Sequence, residues 1–180
     1  DVKFIQDYGC PSRCYQLGLL ACTAPYVVFV ADDGVFLDTG AVDKAFETLA
    51  SMPPSNKNIV SFRYYEGKRI KKNPVEGEDW WKMGHHEYYR KLLIPPHFLL
   101  MMTALVHREY TIEMGGWDCR FNHLGIGAHD LAIRMQRDGA NVVIGHMFMA
   151  MTHLDGPIGD HKPVHDGHCE EDMPFLQSLY

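Results

Sequence analysis

The chain has 180 residues, 46% hydrophobic and 22% charged, with a formal net charge of −6. That composition fits one folded domain with a sizeable core and excludes an intrinsically disordered chain. No apolar run approaches the ~20 residues that span a bilayer, and the densest basic group, Lys68-Arg69-Ile70-Lys71-Lys72, is too short for a nucleic-acid footprint.

In chain order, Lys3 to Gln6 reads as a short strand. Pro11 to Thr23 reads as a helix opened by Pro11-Ser12, with Tyr15, Leu19, Leu20 and Cys22 at helical spacing. Tyr26 to Ala31 is a continuous apolar, β-branched run, which predicts a central strand covered on both faces. Asp38-Thr39 is expected to cap a helix from Gly40 to Ser51, with Val42, Ala45, Phe46 and Leu49 on one side. Asn58 to Tyr65 follows as a strand. The proline pairs at Pro53-Pro54 and Pro95-Pro96 each end one element before the next begins. Between them, Glu78 to Leu93 reads as an aromatic-rich helix. Phe98 to Val106 is a predicted strand, His107 to Met114 a short helix, Asp130 to Gly139 a helix closed by glycine, and Asn141 to Met147 a strand. The segment from 155 to 180 reads as an irregular C-terminal tail. One α/β sandwich with a largely parallel sheet is therefore expected, with its ligand site beyond the carboxyl ends of the strands.

Five cysteines, none spaced as C-x2-C, suggest neither a disulfide framework nor a zinc site and fit a reduced, cytoplasmic setting. The start of the chain lacks a charged-then-apolar signal pattern, so a soluble protein is expected, with room left for peripheral membrane association. Of eleven histidines, His146, His153, His161, His165 and His168 crowd the last third. As a group they read as polar loop histidines.

Asp32 and Asp33 leave the most hydrophobic strand of the chain, followed by Gly34. Adjacent carboxylates at a strand end repel each other unless they are paired, hydrogen-bonded or bound to a cation. Mg²⁺ and Mn²⁺ take carboxylate oxygens together with substrate phosphates. A polar turn in which one Asp caps a neighbouring helix is the plainer reading of the same residues.

Three blocks in order resemble a family 2 glycosyltransferase with the GT-A fold. Gly9, Ser12, Cys14, Tyr15, Gln16 and Gly18 stand at the spacing of the family's G-x-x-S-x-A-R-N-x-G pattern, ahead of the strand that ends in Ala31-Asp32-Asp33. Gly115-Gly116-Trp117-Asp118-x-Arg120-Phe121 resembles G-G-F-D-E-R-F. Gly125-Ile-Gly-Ala-His129-Asp130-Leu-Ala-Ile-Arg134 resembles the G-x-G-x-E-D-x-x-L-x-x-R segment. The family's first strand-helix unit would precede Asp1, so the domain is expected to be N-terminally incomplete.

The resemblance implies a sugar transfer, inverting in outcome, from a nucleotide-diphospho-sugar, with UDP-sugar favoured, to a saccharide or other hydroxyl acceptor. It implies Mn²⁺ or Mg²⁺ held by Asp33 and His153, with Asp155 a weaker substitute. Nucleotide contacts would come from Arg13, Gln16, Asp32 and Asp33. Asp130 would be the general base, with His129 able to tune or replace it, although Asp130 also matches a later acidic position of the motif. Trp117 and Asp118 would face the acceptor, while Trp80-Trp81 reads as core packing. Two other readings remain: a degenerate or truncated domain that binds without turnover, and a nucleotidyltransferase, for which no phosphate loop is visible.

Overall fold

The computed structural model describes residues 3–30, 34–36, 38–67, 98–99, 101–152 and 166–180. Five strands form one sheet: β1 (Tyr26–Val28), β2 (Gly34–Phe36), β3 (Asn58–Gly67), β4 (Ala104–His107) and β5 (Asn141–Thr152), in the order β1-β4-β3-β5-β2. Helices α1 (Pro11–Ala21), α2 (Ala41–Ala50), α3 (Arg108–Glu113), α4 (Leu124–Arg137) and α5 (Met173–Leu179) complete it, with a π-helical turn at His168–Asp172 ahead of α5.

The α/β class holds, but the sheet is mixed and not mostly parallel. Only β3 and β5 pair in parallel; β1–β4, β3–β4 and β2–β5 are antiparallel. The reason lies in the long link from β3 to β4. Ser61 pairs with Ala104 and Val60 with Leu105, so β4 re-enters the sheet from the side on which β3 leaves. A parallel strand would need the link to cross to the opposite end. These pairings leave β1, β3 and β5 running one way, with β2 and β4 reversed.

Several expected elements differ. Lys3 to Gln6 forms no strand, and β1 stands at an edge of the sheet among the described residues, paired with β4 alone. β4 covers only the last part of the apolar run from Phe98. Helix α2 is preceded by Gly40 in the left-handed region (φ 71°), with no side-chain cap; the carbonyl of Asp38, not its carboxylate, accepts from Ala41 N–H. Ala41 and Ala45 form its buried face, while Phe46 is exposed. On α1, Leu19 is buried but Leu20 and Cys22 are exposed. Helix α4 begins at Leu124, so the glycine-rich stretch is helical and not a loop. The imidazole of His123 replaces a conventional cap, accepting from Gly125 N–H at 3.1 Å. The C-terminal tail is helical from His168 to Leu179. The predicted helix from Glu78 to Leu93 lies outside the described residues.

The larger core gathers α3, α4 and the underside of the sheet: Leu19, Ile59, Val106, Tyr110, Trp117, Phe121, Ile133 and Met135 are all buried. A second cluster lies on the other face, where Ala41 and Ala45 of α2 cover Val60, Phe62 and Leu105. Burial on both faces, at ~25 cal/mol per Å² of apolar surface removed from water, is what holds the layers together. Among the described residues no helix is long and apolar enough to cross a membrane.

Candidate functional site

Helix α3 ends in two glycines with positive φ, Gly115 (91°) and Gly116 (64°). Gly116 N–H donates to Thr111 O and Gly115 N–H to Ile112 O, each at 2.8 Å, the double closure of a Schellman turn. Side chains strain in this region of backbone space, and a Cβ on Gly116 would also collide with the Gln16 amide. The turn therefore needs glycine and delivers Trp117 and Asp118 in a fixed direction.

Arg134, on α4, fastens this turn from below. Its guanidinium donates to the carbonyl oxygens of Met114 and Gly116, the latter at 2.7 Å. Its Nε and Nη2 also donate to Asp130 Oδ2 at 2.9 and 2.6 Å, one helical turn back. Asp130 Oδ1 accepts from the Tyr180 hydroxyl at 2.7 Å. Asp130 is only 2% exposed. A general base has to touch the acceptor hydroxyl. The observed carboxylate faces Arg134 and Tyr180. His129 beside it is also buried.

Trp117 departs from the expectation of a sugar-stacking surface. It is 2% exposed, with Tyr15 edge-on at 5.0 Å between centroids and Phe29 at 5.2 Å. Gly127 lies against the same ring, where an added Cβ would stand 3.4 Å from the indole and 2.8 Å from Ser12 Oγ. Both faces and edges of the indole are engaged by protein, so Trp117 supports the site as its wall. Among the described residues its buried Nε1 has no hydrogen-bond partner.

Gln16 holds the same residue by its backbone, accepting from Trp117 N–H at 2.8 Å. Arg13 is half-exposed and paired with Asp7 at 3.0 Å. Asp118 is half-buried in the turn, with its carboxylate 2.6 Å from Arg120 Nη2. The Arg120 guanidinium, helped by the Arg120 backbone N–H, holds the Asp118 carboxyl below the usual carboxylate range against the opposing effect of burial.

Asp32, Asp33, His153, Asp155, Trp80 and Trp81 lie outside the described residues. The residues next to Asp33 and His153 on one side, Gly34 and Thr152, are described. Gly34, which follows Asp33 directly, pairs with Met151, two residues before His153. The start of β2 and the ends of β3 and β5 lie together at one end of the sheet, Gly34 and Glu66 both pairing with Met151; β1 runs the same way but stops at Val28, level with Leu105 and Val60. Among the described residues no cluster of three His, Cys, Asp or Glu side chains could hold a metal ion. As a donor set, two carboxylates and one imidazole suit Mn²⁺ or Mg²⁺ coordinated alongside phosphate oxygens.

Sequence reasoning missed Tyr180, which stands 50 residues from Asp130 and carries no local signal. It also missed Asp172, whose buried carboxylate accepts from the N–H groups of Asn122 and His123 at 3.1 and 2.6 Å, ahead of α4. The Asp130-x-x-x-Arg134 spacing was readable, because residues four apart share a helix face. In comparisons with known proteins, no family model matches this chain and no curated protein matches it.

Proposed function

We propose that this chain is a metal-dependent transferase domain that moves a glycosyl group from a nucleotide-diphospho-sugar to a hydroxyl acceptor. The observation that carries the reading is the pairing of Gly34 with Met151. It sets the residues adjoining Asp33 and His153 at one end of one sheet, the end at which the parallel pair β3 and β5 finishes. In α/β sheets, ligands gather beyond such carboxyl ends.

In this reading Asp33 and His153 hold Mn²⁺ or Mg²⁺, and Asp32 lies near the ribose or the cation's shell. The cation neutralises charge on the leaving diphosphate. Asp118, half-buried and held ionised by Arg120, accepts hydrogen bonds from acceptor hydroxyls. Trp117, Gln16 and the Asp130–Arg134 pair keep the Gly115–Asp118 turn rigid. A base role for Asp130 requires the Tyr180 hydroxyl to leave Oδ1 first.

Calorimetric titration with UDP and other nucleoside diphosphates, with and without Mn²⁺, tests the proposal. Binding that appears only with the cation, and that Asp33→Asn removes, supports it; cation-independent binding or none overturns it.

A second reading, a degenerate domain that acts as a binding module without turnover, is favoured by the burial of Asp130 and its commitment to Arg134 and Tyr180. It predicts no cation-dependent nucleotide binding and no release of nucleotide from a UDP-sugar. A nucleotidyltransferase would instead release pyrophosphate from a nucleoside triphosphate.

A further inference from the structure

Away from that edge, the fold brings together two cysteines 109 positions apart in sequence. Cys10 Sγ lies 3.7 Å from the carbonyl oxygen of Cys119. Cys10 is the N-cap residue of α1 and half-buried, while Cys119 is exposed in the turn between Asp118 and Arg120. Both are free thiols. The Cys119 sulfur rests 3.6 Å from Trp117 O, and a bond to Cys10 would require it to leave that contact.

Burial pushes the Cys119 thiol up and the nearness of Cys10 adds to that, so its thiolate is the scarcer form; the Arg13 guanidinium, itself paired with Asp7, acts the other way.

We propose that Cys10 and Cys119 are an oxidation site that closes to a reversible disulfide when the protein meets hydrogen peroxide. One thiolate attacks a peroxide oxygen, the O–O bond breaks, and a sulfenic acid and hydroxide result. The second thiolate then attacks the sulfenic sulfur and expels a second hydroxide. The two thiol protons convert both hydroxides to water, so two thiols and one peroxide give one disulfide and two waters. The bond fastens the start of α1 to the turn that carries Asp118. It depends on neither a metal nor a nucleotide, so it stands apart from the transferase reading.

Peptide mapping without reduction, after exposing the reduced full chain to hydrogen peroxide under native conditions, decides the matter. The expected result is a Cys10–Cys119 linked peptide, loss of two of the five free thiols, and their return on treatment with a dithiol. Cys119→Ser should keep its remaining thiols under the same exposure. Exposed Cys14 and Cys22 serve as internal references. Five persisting thiols, a link from either residue to a different cysteine, or sulfinic acid at Cys10 or Cys119 without a link would each overturn the proposal. The map of the unsubstituted chain is decisive even where Cys119→Ser folds poorly.

Discussion

Asp130 and Arg134 are one unit, and removing either half has a different consequence from removing both. With Asp130 at 2% exposure, Asp130→Ala strands the guanidinium among buried carbonyls and should lower stability by about 3–5 kcal/mol in urea denaturation. Tyr180→Phe removes a single hydrogen bond to the carboxylate and should cost about 1.5–3 kcal/mol by the same measurement. Gly116→Ala meets both a positive φ and the Gln16 amide, so a loss of roughly 1–3 kcal/mol is expected. Asp118 gives a pH signature. Its folded-state pKa is depressed, so its contribution is present above the unfolded value of about 4 and is lost as pH falls through the folded one. Asp118→Asn should therefore lose stability less steeply than the parent as pH drops below about 4, read from urea midpoints across acid pH.

Helix α4 draws its stability from its neighbours as much as from its own residues. Its first turn contains two glycines, poor helix formers at ~1 kcal/mol each relative to alanine, and carries no acidic residue. What offsets this is external: His123 caps Gly125, and Asp172 receives the N–H groups of Asn122 and His123. Asp172 comes from the turn ahead of α5, and α5 in turn docks Leu176 into the core and Phe175 against Phe121 at 5.1 Å. The C-terminal segment and α4 should therefore unfold together. Leu176→Ala is expected to cost about 2–5 kcal/mol in thermal or urea unfolding, and to raise amide exchange at 122–125 as well as in α5 itself. Faster exchange confined to α5 would show that the two helices are independent.

Across the molecule, the ends of β3 and β5 and the start of β2 meet at one end of the sheet, while β1 runs the same way and stops earlier, at Val28. β1 and β2 stand on the two outer edges of the sheet, joined by a short stretch that carries Asp32 and Asp33. Much of this was legible in the residues. The apolar run at Tyr26, the β-branched run at Asn58 and the periodicity before Gly139 each report local burial, and local burial is set by side-chain chemistry at fixed spacing. The need for glycine at 115 and 116 was visible as a motif, and its reason became visible as a helix end with two left-handed residues.

Strand order and direction were not legible, because alternating elements do not say whether a long link such as the one between β3 and β4 returns to the side it left. The burial of Trp117 and Asp130 was equally hidden. An indole or carboxylate in a motif looks alike whether it faces a ligand or the core, and only the approach of Tyr15, Phe29 and the distant Tyr180 decided that they face inward. Sequence spacing reports which residues share a face of one element; contacts between elements far apart in the chain exist only once the fold has closed, and here those contacts assigned the roles.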